Sequence, residues 1–336
     1  MPRYNVIPDI LTLSTEIKKI RNFSFGESLR EETGQSLINL NFIVNNSIKK
    51  EPNLNQRYHF FWGKHDCPSI YYERRIIGGI FAKMLFEDSR EFPTITINKS
   101  YLRWIRVRTN NIFPPGIHLT DIITVKLMEG GFIPLHCAAV SFDNKGILIF
   151  APPNTGKTLT SMLLIQNGFK FMSEDITVSD GNKIYGCPFT STFRYYEEFN
   201  SKFARWLSLT ATKVPFLAPF IEPKARVIGD YVDREKIKAE APISSIVILE
   251  RGDPKVENLN ENETFRRILN INRYEFNYYR NPMLRVYSYF NKKLNLNSFM
   301  LKEEEIMKKI IRNKGLYLIR ENNPDNYAKY FKNLSV

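Results

Sequence analysis

The sequence predicts an α/β fold in which a mixed, strand-rich N-terminal region precedes a larger domain of strands and helices. Short β-prone runs, broken by Gly, Pro and Asn, occupy the first 125 residues. Near residue 150, a buried-type strand leads into a glycine-containing loop and then a helical stretch. Apolar residues at helical spacing near residue 306 indicate a helix-rich remainder. We therefore expect two domains, residues 1–125 and residues 126–336.

The composition and charge are those of a folded protein with an acidic partner. Of the 336 residues, 43% are hydrophobic and 13% are aromatic, which is enough for a large core and excludes a disordered chain. The 48 basic and 35 acidic residues give a formal net charge of +13, spread along the whole chain. This excess favours an acidic partner, which can be a nucleotide, a phosphate, a nucleic acid, an acidic peptide or a membrane surface.

The cysteines and the hydropathy pattern bear on the compartment. The three cysteines form no closely spaced pair, which argues against a disulfide scaffold and a cysteine-based zinc site. The first residues have no signal-peptide pattern, and no apolar run reaches the roughly 18 residues of a membrane span. We therefore expect a cytoplasmic protein with no membrane partner.

The N-terminal region is expected to shape substrate binding or assembly. Three of its segments have the composition of strands: residues 57–62, 69–77 and 94–97. The strongest break is Pro114-Pro115-Gly116, and a domain boundary soon after it is expected. A helix should follow over residues 119–128 and end at Gly130-Gly131.

The central segment predicts a hairpin, a loop and a helix in succession. Residues 137–142 and 146–150 flank an Asn/Gly-type turn and read as two paired strands. The loop APPNTGKT, residues 151–158, comes next. A helix over residues 159–166 then closes on Asn167-Gly168, a typical C-cap.

The rest of the chain predicts further strands, an insertion and a helical end. Residues 169–172 are strand-like, and a second hairpin spans 176–186. An irregular or helical insertion over 191–240 precedes a strongly apolar strand at 243–250. Four apolar residues mark the buried face of a later helix: Ile306, Met307, Ile310 and Ile311.

The loop at 151–158 carries the chemistry. It matches the end of the phosphate-loop pattern GxxxxGK[ST], although Ala151 replaces the first Gly. Backbone N–H groups and the N-terminal end of the following helix would wrap a phosphate. Lys157 would reach the β- and γ-phosphates of ATP, and Thr158 would offer its hydroxyl to Mg²⁺. The candidate nucleotide contacts are Asn154, Thr155, Gly156, Lys157 and Thr158.

Two adjacent acids, Glu174 and Asp175, follow the next strand. Strand ends converge on one crevice in such sheets, so these acids are expected near the loop. One can hold Mg²⁺ directly or through water, while the other takes the proton of an acceptor hydroxyl. The alternative is a turn whose acids face solvent. His136, before the loop, is by spacing alone more typical of a structural histidine than of a catalytic one.

Residues 135–188 resemble the catalytic core of HPr kinase/phosphorylase-like proteins. That family has a His opening a strand, then a hairpin, a phosphate loop, a helix, a Gly, a triplet with two acids and a Gly-x-Pro. The matching positions are His136, Gly146 of the hairpin, residues 151–158, Gly168, Ser173-Glu174-Asp175 and Gly186-Cys187-Pro188. The apolar strand near 243–250 is similar to the family's strand after the insertion.

The resemblance implies the fold shared with phosphoenolpyruvate carboxykinases and the ATP–Mg²⁺-dependent phosphorylation of a hydroxyl. It implies that Glu174 acts as the base, that Asp175 helps Thr158 to hold Mg²⁺, and that His136 supports the acid pair. Glu174 replaces the family's Asp, and the segment typical of enzymes that modify HPr is missing. We therefore expect a serine in a peptide or protein as the acceptor, as for kinases of lasso-peptide precursors. Relatives often assemble, so a homo-oligomer is a further expectation.

Three alternatives stay open: a kinase for RNA, a kinase for a small metabolite, and a regulatory module that binds ATP without transfer. Residues 266–293 interleave aromatic and basic residues as RNA-binding surfaces do, although aromatic residues in a core are the more ordinary interpretation. Arg194, Arg226 and Arg251 are candidates for stabilising charge on the transferring phosphoryl group.

Overall fold

The computed structural model describes residues 1–26, 36–89, 92–105, 112–188 and 228–334. These residues form a mixed α/β fold on two strand-rich sheets, one of eight strands and one of nine. In the described ranges, no helix combines the length and apolar character needed to cross a membrane. Cys137 and Cys187 are buried, Cys67 is partly exposed, and no disulfide joins any two of them.

The first sheet is built by the N-terminal region. Its strands are β1 (Arg3–Ile7), β2 (Leu11–Thr15), β3 (Ile38–Val44), β4 (Gln56–Tyr58), β5 (Phe61–Gly63), β6 (Ser69–Ile77), β7 (Ile80–Glu87) and β8 (Thr94–Ile97). They lie in the order β1-β2-β3-β8-β7-β6-β5-β4, and β3 runs parallel to both its neighbours. On β7, Ala82, Met84 and Phe86 alternate with more exposed residues, so one face of the sheet covers the core.

Two of the three expected strands here are confirmed, β6 and β8, with the predicted bounds. The expected strand over 57–62 is wrong, because the chain reverses within it and forms the paired strands β4 and β5. His59 at the reversal has a φ of 57°. No Gly or Asn marks this turn, so the β-prone composition concealed it.

Two helices follow β7 and β8, α1 (Lys99–Trp104) and α2 (Pro115–Glu129). The structure begins α2 four residues before the expected start at residue 119. Pro115 occupies the first helical turn, where its missing N–H has no intrahelical partner to lose. The Pro-Pro-Gly segment therefore starts the helix. Residue 125 lies inside α2, and the two-domain division stays a prediction.

The second sheet is built mainly by the rest of the chain. Its strands are β9 (Ile133–His136), β10 (Ala138–Phe142), β11 (Lys145–Phe150), β12 (Lys170–Ser173), β13 (Ile176–Ser179), β14 (Lys183–Tyr185), β15 (Glu240–Glu250), β16 (Lys255–Asn258) and β17 (Gly315–Arg320). The order is β12-β10-β11-β15-β14-β13-β9, with β17 beside β15 and β16 beside β17. Because β11, β15 and β17 are parallel, their carboxyl ends meet at one edge.

The remaining helices are α3 (Lys157–Gln166), α4 (Glu261–Glu275), α5 (Pro282–Phe290), α6 (Leu296–Ile311) and α7 (Tyr327–Tyr330). α5 packs on β5 of the first sheet, and the other four contact the second sheet. The amphipathic helix is confirmed as α6, whose four marker residues are buried. The expectation of a helix-rich end missed β16 and β17. Most of the expected insertion, residues 189–227, lies outside the described residues. Its described part holds two short 3₁₀ turns, Ile228–Asp230 and Arg234–Lys236, and leads into β15.

One large apolar cluster joins the two sheets. It contains Phe42 and Met84 from the first sheet together with Leu148 and Ile246 from the second. A smaller cluster covers the other face of the second sheet and includes Tyr327 from α7. Burial on both faces explains the continuous apolar runs in β11 and β15.

A buried polar chain links α2 to the segment before α5. The His118 ring nitrogens lie 3.1 Å from the Tyr101 hydroxyl and 3.1 Å from Asn281 Oδ1. Asn281 Nδ2 donates to Asp121 Oδ2 at 2.6 Å. Burial raises the pKa of Asp121 to about 7, opposed by the Asn281 hydrogen bond and assisted by the charge of Glu275.

We expect Asp121→Asn to remove a pH dependence of stability. The folded state holds a proton that the unfolded state loses near pH 4, so wild-type stability falls as the pH rises from about 4 to about 7. Relative to the variant, the wild-type free energy of unfolding should fall by roughly 3 kcal/mol between about pH 5 and about pH 8. Urea unfolding measures it. Asp233→Asn, at a side chain that is 78% exposed, is the control. Parallel pH curves for wild type and Asp121→Asn would contradict the burial argument.

Candidate active site

Hydrogen bonds within the loop between β11 and α3 hold its conformation. Two of its residues have positive φ, Asn154 at 61° and Gly156 at 122°. The backbone N–H and the hydroxyl of Thr155 both donate to the Pro152 carbonyl, at 3.3 and 2.8 Å. Pro152, Pro153 and Asn154 are exposed, so the outer side of the loop faces solvent.

Gly156 is required both by its conformation and by the space around it. A Cβ atom here would lie 2.8 Å from Pro324 Cβ and 3.7 Å from Tyr327 Cε2. The Gly156 carbonyl also accepts from the backbone N–H and the hydroxyl of Thr160, both at 2.9 Å. The C-terminal segment around Pro324 therefore forms a wall behind the loop.

The first turn of α3 faces the loop and is suited to an anion. The helix begins at Lys157 and has no acidic residue in its first turn. The first N–H groups of any helix lack intrahelical acceptors and carry the positive end of the helix dipole. Thr158 is half-buried in this turn. A phosphate group would find the donors that it requires here.

Lys157, Asp175 and His136 meet at this helix end. Lys157 Nζ donates to Asp175 Oδ1 at 2.7 Å, and His136 Nε2 lies 3.4 Å from the same oxygen. The side chains of Lys157 and His136 are each 10% exposed, whereas that of Asp175 is 42% exposed. Burial would raise the pKa of Asp175, but the charges of Lys157 and His136 outweigh it and hold that pKa below its ordinary value.

His136 is held by a helix far along the chain. It ends β9, opposite Ile176 of β13, whereas the family resemblance implies a His that opens a strand. Its backbone N–H donates to Asn272 Oδ1 of α4 at 2.8 Å. Its ring Nδ1 lies 3.6 Å from Glu275 Oε2 at the end of the same helix. No motif marks either α4 residue, and their only local signal is their spacing of three on an amphipathic helix.

Glu174 is placed differently from its neighbour. It has no exposed surface, whereas Asp175 reaches solvent and contacts Lys157. The two acids occupy the two-residue bend between β12 and β13. A base has to come within hydrogen-bond reach of the acceptor hydroxyl, and Asp175 is the one of the two acids with exposed surface. The role of Glu174 as the base therefore stays a prediction that its burial does not favour.

Of the three candidate arginines, only Arg251 lies within the described residues. It follows β15 and is exposed, and its Nη1 donates to the Asn322 carbonyl at 2.6 Å. That places Arg251 at the edge where β11, β15 and β17 end. Arg194 and Arg226 fall outside the described ranges.

The aromatic residues of 266–293 belong largely to the core. Phe276, Tyr278, Tyr287 and Phe290 are each at most 2% exposed. Two others, Tyr274 and Tyr289, are well exposed. A continuous stacking surface for RNA bases would need more of these rings at the surface.

The oxygen atoms near the loop fit Mg²⁺. Among the residues that the structure describes, no group of three or more His, Cys, Asp or Glu side chains is placed to hold a metal. Mg²⁺ at nucleotide sites is usually held by only one or two protein oxygens together with phosphates and waters. The hydroxyl of Thr158 and the carboxylate of Asp175 are donors of this kind.

Comparisons with known proteins give a weak structural likeness. No family model matches the chain, and no curated protein matches it. Among solved structures, the chain is similar to the HPr(Ser) kinase/phosphatase from Coxiella burnetii, with 10% sequence identity and a TM-score of 0.22. The likeness covers 38% of this chain and 77% of that chain. A TM-score this low carries no conclusion about activity.

Proposed function

We propose that this protein is an ATP–Mg²⁺-dependent kinase that phosphorylates a hydroxyl, a serine in a peptide or protein. One observation carries the proposal: Lys157, in the first turn of the helix after a glycine loop, pairs with Asp175 at 2.7 Å. This pair brings a cation suited to phosphates next to a carboxylate suited to a metal or a proton.

The loop and Lys157 would bind the triphosphate. The Thr155 N–H already donates to the Pro152 carbonyl, so the N–H groups of Asn154 and of residues 156–158, with the positive end of α3, would surround the β-phosphate. In the structure, Asp175 neutralises Lys157. The greater negative charge of a triphosphate would draw the ammonium group toward the β- and γ-phosphates. The carboxylate of Asp175 would then be released for its own role.

Asp175 would serve the metal and the acceptor. Its lowered pKa keeps the carboxylate ionised at neutral pH. Mg²⁺, when bound, neutralises charge that develops on the β- and γ-phosphates. The acceptor oxygen forms a bond to the γ-phosphorus, the bond to the leaving ADP oxygen breaks, and the hydroxyl proton passes to a carboxylate. Because Glu174 is fully buried, we assign this proton to Asp175.

A regulatory module that binds ATP without transfer is the second candidate. The observation that favours it is the burial of Glu174, which leaves one acid of the pair with access to a substrate. The same loop and the same Lys157 would then hold the nucleotide. The core positions of the aromatic rings in 266–293 weaken the RNA-kinase alternative.

Parallel binding and transfer assays test the proposal. Binding is followed with a fluorescent ATP analogue, and transfer with ATP labelled at the γ-phosphate and serine peptides as acceptors. We expect Mg²⁺-dependent labelling of serine peptides that is abolished by EDTA. Absence of nucleotide binding would overturn the proposal. Binding without transfer to peptides, RNA or small alcohols would instead favour the regulatory module.

A further inference from the structure

We propose that Glu275 is a positioning residue of this site, which fixes the His136 ring and through it the carboxylate of Asp175. The kinetic consequence rests on the proposed kinase function, whereas the structural consequence does not. Glu275 is the last residue of α4 and lies 139 positions after His136 in the sequence.

The imidazole of His136 lies between two carboxylates. Nε2 is 3.4 Å from Asp175 Oδ1, and Nδ1 is 3.6 Å from Glu275 Oε2. Nδ1 is buried and has no hydrogen-bond partner in the described part of the chain. A movement of about half an ångström would bring Glu275 within hydrogen-bond distance of Nδ1. A ring engaged on both sides cannot turn without losing one of the two contacts.

The helix that carries Glu275 makes a second contact with His136. Asn272, three residues earlier and so on the same helix face, accepts the backbone N–H of His136. Asn272 Nδ2 in turn donates to Glu303 Oε1 of α6 at 2.9 Å, and Arg273 Nε donates to Glu303 Oε2 at 3.1 Å. Because these bonds hold the end of α4 against α6, the position of Glu275 is fixed.

The fixed position of Glu275 matters most when nucleotide is bound. Lys157 and His136 both contact Oδ1 of Asp175. If the phosphates draw Lys157 away, the His136 contact is the one of these two that remains. A His136 ring held by Glu275 would keep the Asp175 carboxylate in place, and a ring free to turn would not.

Kinetics of Glu275→Ala and Glu275→Gln test the positioning role. We expect Glu275→Ala to lower kcat about tenfold while the KM for ATP changes less than twofold, because the loop that binds ATP is intact. Glu275→Gln should restore most of the activity, since an amide oxygen still accepts from Nδ1–H. Glu261→Ala, at an exposed residue in the first turn of α4, is the matched control and should keep wild-type kinetics.

An NMR signal of the ring separates this inference from the proposed function. We expect a slowly exchanging Nδ1–H signal of His136 in nucleotide-free protein, assigned by its loss in His136→Gln. It should persist in Glu275→Gln and disappear in Glu275→Ala. An unchanged signal in Glu275→Ala would overturn the positioning role, whatever the activity. Absence of phosphotransfer by wild type would overturn the kinase proposal and leave the NMR prediction standing.

Discussion

Lys157→Ala is expected to reduce phosphotransfer by about 10³-fold or more, because it removes the cation that would meet charge developing on the γ-phosphoryl group. The fold should survive, since Asp175 is partly exposed and keeps its contact with His136. Initial rates with γ-labelled ATP measure the first effect. Circular dichroism and thermal unfolding measure the second.

Lys170→Ala is the matched control for this variant. Lys170 is the exposed first residue of β12. Its replacement by Ala removes the same positive charge as Lys157→Ala does. Its rates should equal those of the wild type. Full activity of Lys157→Ala would remove the mechanism proposed above, even if ATP binding were retained.

Asp175→Asn is expected to lower kcat by about 10²- to 10⁴-fold. Asn keeps the shape of the side chain, but it does not take up the proton of the acceptor hydroxyl and offers no charged oxygen to Mg²⁺. ATP binding should be retained, because the change removes a negative charge beside the phosphates and frees Lys157 from its pair. Rates at increasing Mg²⁺ concentration and a binding titration with the fluorescent ATP analogue measure these effects.

Glu174→Gln distinguishes the roles of the two acids. With Asp175 as the acid that meets substrate, Glu174→Gln should keep far more activity than Asp175→Asn. Asp143→Asn, in the exposed turn between β10 and β11, controls for a simple loss of charge. A Glu174→Gln protein that is stable yet as inactive as Asp175→Asn would return the base role to Glu174.

Local patterns predicted the elements whose signals lie within a few residues of one another. Examples are the β10–β11 hairpin, the loop and α3. In each, the turn or cap residues stand directly beside the apolar run whose end they mark. β17 also has turn residues at both ends, Asn313 and Gly315 at its start and Asn322-Asn323-Pro324 after it, but its place beside β15 depends on residues about 70 positions away. The turn at His59 is stabilised after folding by pairing of β4 with β5, which composition alone does not reveal.

The candidate site was predictable only in part, for a related reason. Lys157 is identified by the loop pattern, and His136 and Asp175 by their positions in a family resemblance. Asn272 and Glu275 reach His136 from a helix that no motif marks. The burial of Glu174 was equally hidden, because its residue type is the same whether the side chain faces the loop or the core.

The wall that Pro324 and Tyr327 form behind Gly156 has a practical consequence for work with fragments. A fragment that ends before residue 322 would still contain the complete loop motif. It would lack Pro324 and Tyr327, which pack beside Gly156. Motif searches would score such a fragment as intact. If the fragment failed to bind nucleotide, deletion mapping would place the binding site in the C-terminal tail, although the change in binding would arise at the loop.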